Sequence, residues 1–392
     1  MITISLCMIV KNEEGVLARC LDSVADLVDE INIIDTGSTD ATKEIASRYT
    51  DRIFDFEWID DFAAARNFSF EQATCSHIMW LDADDILLEK DREAFKKLIP
   101  EMPDDIDSII MEYHLAFDKA GNPAAGARRN RIVRRVKGYR WHNPIHEYLN
   151  VADGKVYVSE VAISHERMGD HSARNLEIFK KKLLQGGAKL EGRNQLYYAN
   201  ELVDQRMYAE AVEQYEQFVQ GENETPEDCM YAYSKLAECY HHLGQKKRKM
   251  QSLLLALQFN APRADHCCSI GYSFEERGQY DAAIHWYELA LTLPKPKFHM
   301  GLLNLVCWTW MPHVQLCICY AKLGEIELAY EHNEKALAYL PDDVNLLDNK
   351  QRLEQVLGIA ASSTPTEDNN QAPIEQPMVQ SDDTDGGMET PC

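Results

Sequence analysis

The sequence predicts an α/β domain with a mostly parallel sheet, then an all-α solenoid, then a disordered acidic tail. Three observations carry this prediction. Short apolar runs alternate with helical stretches over residues 2–165, a 34-residue spacing recurs between residues 194 and 358, and no Lys or Arg follows residue 358. At 392 residues the chain exceeds the usual single core, so two folded domains are expected.

Residues 2–10 read as a fully buried strand. The apolar run lacks the basic start of a signal peptide and passes straight into Lys11-Asn12-Glu13-Glu14. A helix over residues 15–25 and a second strand over 30–34 complete a βαβ unit with a right-handed crossover. Asp40 stands where the next helix, over residues 41–49, wants an N-cap. A strand over 52–56, a helix over 62–72 and a fourth strand over 77–81 follow. Open parallel sheets bind ligands outside the carboxyl ends of their strands, and Asp35 and Asp82 fall at such ends.

In the second region Gly244-Gln245-Lys246 and Gly278-Gln279-Tyr280 lie 34 residues apart, as do Ala256-Leu257 and Ala290-Leu291. That is the tetratricopeptide period. Met207-Tyr208-Ala209-Glu210-Ala211 and Tyr280-Asp281-Ala282-Ala283 supply turn and second-helix residues, and Gly324-Glu325-Ile326 repeats the theme after an insertion over 294–312. Pro294 and Pro341 end helices. Each helical pair leaves an apolar face open, so neighbours must stack, and the resulting concave surface suits a peptide. Trp308 and Trp310 of the insertion read as core packing. The expected boundaries are 1–170 for the sheet domain, 171–193 for a connecting helix, 194–358 for the array and 359–392 for the tail, which is too polar to repay ordering.

Composition excludes some functions. A net charge of -24 and the absence of any long basic stripe argue against nucleic acid, and Lys246-Lys247-Arg248-Lys249 reads as the solvated turn of a helical hairpin. Eleven cysteines without a C-x-x-C pair or zinc spacing suggest reduced, buried thiols in a cytoplasmic protein. No transmembrane segment is expected, because no stretch approaches about eighteen apolar residues. A homodimer is compatible with all of this.

The run Trp80-Leu81-Asp82-Ala83-Asp84-Asp85 is the most informative stretch. Residues two apart on a strand point the same way, so Asp82 and Asp84 present carboxylates together, a pattern suited to Mg²⁺ or Mn²⁺. Taken alone, such a pair is more often a solvated turn or a helix cap. The chain has neither G-x-x-x-x-G-K-[ST] nor G-x-G-x-x-G, so a metal at this pair would have to take over phosphate binding.

Four motifs in order give the pair its context: Met8-Ile9-Val10-Lys11-Asn12-Glu13-Glu14, Ile34-Asp35-Thr36-Gly37-Ser38-Thr39-Asp40, Ala64-Ala65-Arg66-Asn67 and Leu81-Asp82-Ala83-Asp84-Asp85. Over residues 1–170 the chain resembles the family 2 glycosyltransferases. The attached array resembles a bacterial subgroup that includes peptide S-glycosyltransferases acting on glycocin-type peptides. The resemblance implies a GT-A fold, a nucleoside-diphosphate sugar donor such as a UDP-hexose or UDP-HexNAc, a divalent metal and inversion at the anomeric carbon.

It also implies residue roles. Val10 and Glu13 would lie against the donor, Asp35 would accept from base or ribose, and Arg66 would contact base or phosphate through its fork of donors. Asp84 would touch the metal, with Asp82 reaching ribose or metal-bound water and His165 completing the shell; Asp85 has the weaker claim of a cap. Arg131 and Arg134 alternate outward and would face pyrophosphate or solvent, with Arg134 the donor-side choice. Ile145-His146-Glu147 matches a Val-His-Glu element near the acceptor, and either His146 or Glu147 could take the acceptor proton. The expected reaction is metal-dependent transfer to Ser, Thr or Cys of a peptide or protein held by the array. A polysaccharide or lipid-linked glycan acceptor, and an inactive scaffold, are the alternatives.

Overall fold

The computed structural model describes residues 2–151, 153–166, 172–186, 192–221, 225–297 and 299–359. The expected disordered tail lies beyond the described residues from 360 onward.

The N-terminal half alternates strands and helices: β1 (Ile4–Val10), α1 (Leu17–Asp22), β2 (Glu30–Asp35), α2 (Thr42–Ala46), β3 (Ile53–Asp55), α3 (Phe62–Glu71), β4 (His77–Trp80), β5 (Asp85–Ile86), α4 (Glu89–Glu101), β6 (Ser108–Phe117), β7 (Pro123–Arg134), β8 (Arg140–His142), β9 (Tyr148–Asn150) and β10 (Val156–His165). The central sheet is mostly parallel over its first four strands, in the order β3-β2-β1-β4, and continues through β7-β6-β10-β5. β7 runs antiparallel to both β4 and β6, while β10 returns parallel to β6.

β1 shows why the sheet sits at the centre. Its alternate residues Ile4, Leu6, Met8 and Val10 enter one core with Val16, Leu17 and Leu21 around α1, whereas Cys7 enters the opposite core with Ala63 and Phe70 of α3. Two buried faces explain an unbroken apolar strand. Because β1, β2 and β4 are parallel, the chain leaves all three at one edge, through residues 10–14, 35–40 and 81–85.

Helix α5 (Ser172–Gly186) leads to the array: α6 (Arg193–Asp204), α7 (Tyr208–Phe218), α8 (Pro226–His242), α9 (Lys246–Ala256), α10 (Ala264–Glu275) and α11 (Tyr280–Thr292). After the short strand β11 (Leu303–Asn304) come α12 (Trp310–Leu323), α13 (Ile326–Leu337) and α14 (Val344–Leu357). The 34-residue period has a backbone cause: Gly244 and Gly278 turn successive pairs with φ of 69° and 70°, a conformation that favours glycine. Alanines and aromatics such as Ala199, Ala211, Tyr215 and Phe218 then fill the space between helices. Lys249 departs from the solvated-turn expectation, since it is buried and pairs with Glu276 at 2.6 Å. Among the described residues the cysteines other than Cys75 are buried. No described helix is long and apolar enough to cross a membrane.

The insertion ties the array to the sheet. β11 adds antiparallel to β7, Arg129 donates to the Met300 carbonyl at 2.7 Å, and the Trp310 indole donates to Asp118 at 3.2 Å. Trp310 therefore serves a joint as well as a core. Gly126 sits at the crossing, where a Cβ would stand 2.9 Å from the Tyr113 carbonyl oxygen and 3.3 Å from Leu305 Cδ1. Gly126→Ala is expected to cost about 1–3 kcal/mol as overpacking, read as a lower thermal midpoint, because the Tyr113 carbonyl belongs to the β6–β7 ladder and cannot swing away.

Candidate active site

The loops after β1 and β2 lace together before they meet any ligand. Asn12 accepts from the Thr39 amide at 2.8 Å, and Glu14 accepts from the Ala41 amide at 3.0 Å. Asp40 accepts from the Thr42 amide at 3.0 Å but stands one residue before the N-cap of α2, which is Ala41. Asp35 is spent in the same way. Its carboxylate takes the Gly37 and Ser38 amides at 3.1 Å with 1 % exposure, so it shapes its own turn, and Thr36 takes the position lining the cleft instead. This corrects the expectation of a base- or ribose-binding Asp35.

Val10, Lys11, Glu13, Thr36, Asp82 and Asp84 border a cleft beyond these strand ends, with Trp58 and Phe62 on an apolar side. Burial pushes the Glu13 carboxyl up to about 7, helped by the negative charge of Asp84 and Asp82. Burial likewise pushes Asp84 up to about 6, with His165 opposing and Asp82 and Asp85 adding to the effect.

Arg66 lines the cleft and is held from within the domain. Its guanidinium lies against the rings of Trp80 and Trp141, at 4.9 and 4.8 Å from their centroids, and bridges Asp82 at 2.7 Å and Glu147 at 2.6 Å. Both carboxylates outweigh its burial and raise its pKa further. Asn67 locks the same corner by exchanging two hydrogen bonds with the Trp141 backbone. The guanidinium expected at base or phosphate thus borders the cleft while paired with two carboxylates.

The acidic cluster differs from the expected Asp82, Asp84 and His165. Asp84, Asp85 and His165 bring one ligand atom each to within 4.8 Å of one another, whereas Asp82 is held by Arg66. Asp85 joins through strand pairing: β5 runs antiparallel to β10, with Asp85 opposite His165. His165 Nδ1 lies 3.4 Å from both carboxylates and 3.0 Å from the Tyr113 hydroxyl. Burial alone would lower the His165 pKa, but Asp85 and Asp84 raise it. These groups fit a hard divalent cation. They offer two carboxylates and an imidazole, and Asp85 Oδ1 is buried with no hydrogen-bond partner among the described residues.

Of the two β7 arginines expected to face pyrophosphate or solvent, Arg131 is buried and Arg134 is 33 % exposed, and neither lines the cleft. Arg131 is fully buried, pairs with Asp85 at 2.9 Å and lies 3.9 Å from the Trp80 ring centroid, supporting the cluster from beneath. Arg134 pairs with residue 77 at the start of β4, the opposite end from Asp82, and its guanidinium lies 3.6 Å from Asp107. Arg134, expected on the donor side, therefore lies away from the cleft.

Residues 5–158 match the model of glycosyl transferase family 2. The first domain belongs to that family. The chain as a whole is a family 2 glycosyltransferase domain joined to a tetratricopeptide array. It is 28 % identical over 345 residues to a TPR repeat-containing protein of Synechococcus elongatus, covering 87 % of this chain and 76 % of that one. It is 28 % identical over 195 residues to the SPbeta prophage-derived glycosyltransferase SunS of Bacillus subtilis, covering 46 % of this chain and 45 % of SunS. A lipopolysaccharide core biosynthesis glycosyltransferase, LpsC of Rhizobium meliloti, is 29 % identical over 164 residues, covering 39 % of this chain and 58 % of that protein. The chain thus spans less than half the length of SunS. Among solved structures, the TPR protein YrrB overlaps 47 % of this chain and 85 % of its own at 15 % identity and a TM-score of 0.37.

The rest of the family 2 cleft comes from parts that motif reading did not reach. Arg174 and Asn175 of α5 line it, as does Tyr113 of β6. His146 and Glu147 stand on its rim but are both engaged: His146 Nε2 lies 2.8 Å from Glu201 of α6, and Glu147 holds Arg66. No local pattern marks Glu201 as a partner, since its helix belongs to the array.

Proposed function

We propose that this chain transfers a sugar from a nucleoside-diphosphate sugar to a peptide or protein, with inversion, in a metal-dependent reaction. The observation that carries the reading is the convergence of Asp84, Asp85 and His165 beside a cleft rimmed by Glu13, His146 and Glu147. Asp84, Asp85 and His165 would hold Mn²⁺ or Mg²⁺, which when bound supplies Lewis-acid stabilisation of the charge on the departing diphosphate. Lys11 and Arg174, exposed at the cleft, are suited to steer the donor's phosphates, and Trp58 and Phe62 shield the reacting atoms from water. Val10, Glu13 and Thr36 border the donor, and His146 or Glu147 takes the acceptor proton.

The likeness to SunS and the stacked helical pairs support a peptide acceptor carried by the array, through oxygen or sulfur. The match to LpsC, confined to 39 % of this chain, favours a glycan acceptor as the second reading.

Incubating the full chain with Mn²⁺ and a panel of UDP- and GDP-sugars tests the donor side. Release of nucleoside diphosphate, and a metal-dependent rise in thermal midpoint, are expected with at least one donor. Intact-mass measurement on candidate peptides then reads the acceptor. If no donor in the panel is bound or hydrolysed, the proposal fails.

A further inference from the structure

The loop that carries His146 and Glu147 is held from two sides. Glu147 gives an oxygen to Arg66 Nε at 2.6 Å, within the sheet domain. His146 crosses to the helical array. Its Nε2 meets Glu201 Oε1 at 2.8 Å, and its ring stacks on Tyr197 with centroids 4.6 Å apart and planes 23° from parallel. The backbone at His146 has a φ of 49°, a left-handed conformation that a bulky side chain adopts only where its surroundings impose it.

Glu201 is an unusual choice for a helix interior. It is 1 % exposed, its Oε1 also accepts from Asn175 Nδ2 at 3.3 Å, and its Oε2 is buried with no hydrogen-bond partner among the described residues. A buried carboxylate is costly when its partners are few, so packing alone does not account for it. It does have a chemical use. A carboxylate on one imidazole nitrogen fixes the proton there, leaves the other nitrogen as the lone-pair acceptor and stabilises the imidazolium that forms on proton uptake.

We propose that Glu201 is a positioning residue supplied by the first helix of the tetratricopeptide array, holding His146 with its proton on Nε2 so that Nδ1 takes the acceptor proton. The inference rests on the proposed glycosyl transfer and selects His146 over Glu147 as the base. In the step, the acceptor O–H or S–H proton passes to Nδ1 while the acceptor lone pair bonds to the anomeric carbon. The bond from that carbon to the diphosphate oxygen breaks, its electron pair leaves with the nucleoside diphosphate, and the imidazolium then returns its proton to water. Catalysis thereby depends on the array being seated against the family 2 domain.

The test uses the full chain with [¹⁵N]histidine, the His146 signals being assigned by their loss in His146→Asn. The wild-type ring is expected to show a protonated Nε2 and an unprotonated Nδ1. In Glu201→Gln, whose amide can donate as well as accept, the two signals should move toward each other. UDP release from the UDP-sugar donor found active, measured with Mn²⁺ and water as acceptor, should fall at least tenfold while UDP affinity stays within twofold. Glu201→Asp, which keeps the charge on a shorter arm, should recover part of the rate. A wild-type ring protonated on Nδ1 overturns the inference without any substrate or folded Gln variant, as does Glu201→Gln with unchanged signals and rate. Failure to bind any donor of the UDP- and GDP-sugar panel overturns the proposed function instead, and the ring signals still decide the dyad.

Discussion

Asp84→Asn is expected to reduce turnover about a thousandfold while raising the thermal midpoint of the metal-free protein. The two effects share one cause. Burial, with Asp82 and Asp85 adding and His165 opposing, lifts the Asp84 carboxyl from 3.8 to about 6. A raised carboxyl means that the folded chain holds its proton more tightly than the unfolded chain does. Stability contributed by that proton is present below 3.8, falls as pH rises to about 6 and stays lost above it. Near neutral pH the ionised Asp84 therefore weakens the metal-free fold, by something on the order of 1–3 kcal/mol. Asparagine does not ionise, so melts in EDTA should show a higher midpoint and a flatter decline across that pH window. Adding Mn²⁺ should reverse the order, since only the wild-type chain keeps the full ligand set. The turnover loss corresponds to the several kcal/mol a Lewis acid supplies to a departing diphosphate. A variant that releases nucleoside diphosphate at the wild-type rate would remove Asp84 from the chemistry.

What the sequence made legible was whatever repeats or alternates locally. The buried strand β1 and the fourth strand before Asp82 show as apolar runs, and the array shows as a 34-residue spacing with glycine at the same turn. Arg134 shows the limit of that kind of reading. Alternation along a strand gives the face of a side chain but not the end of the sheet. β7 runs antiparallel to β4, so its last residue lies at the starting end of its parallel neighbours, beside Asp107 and away from the cleft. Asp85 was underrated because its role depends on a pairing with His165 eighty residues away. Arg66 was recognised as special for a reason the fold changes: Trp141 arrives from a separate hairpin, β8 paired with β9, and encloses the guanidinium that seemed free to meet a donor.

That enclosure makes Arg66 the most consequential single position for stability. Its side chain is 9 % exposed, and it neutralises Asp82 and Glu147 in a corner that also holds Glu13 and Asp84. Arg66→Met keeps an unbranched apolar stem against Trp80 and Trp141 but leaves two carboxylates without their counter-ion. Stranding the Glu147 charge, 11 % exposed, costs about 3–5 kcal/mol, whereas Asp82 at 30 % exposure is screened by water; the loss is read as a shift in denaturant midpoint with little change in slope. Arg66→Lys keeps the charge but replaces a planar fork by a point, so it cannot serve Nε to Glu147 and Nη2 to Asp82 at once and should lose an intermediate amount. Adding Glu147→Gln to Arg66→Met distinguishes a charge effect from a packing effect. If the stranded charge dominates, the double variant should be more stable than Arg66→Met alone, because the neutral amide no longer needs the guanidinium. If the double variant is weaker still, the packing of Arg66 against Trp80 and Trp141 matters through contact, and the ion pairs only orient it. The first outcome would make Arg66 the counter-charge that lets an acidic cluster gather at the strand ends, with Asp82 held out of the metal set by the same bond.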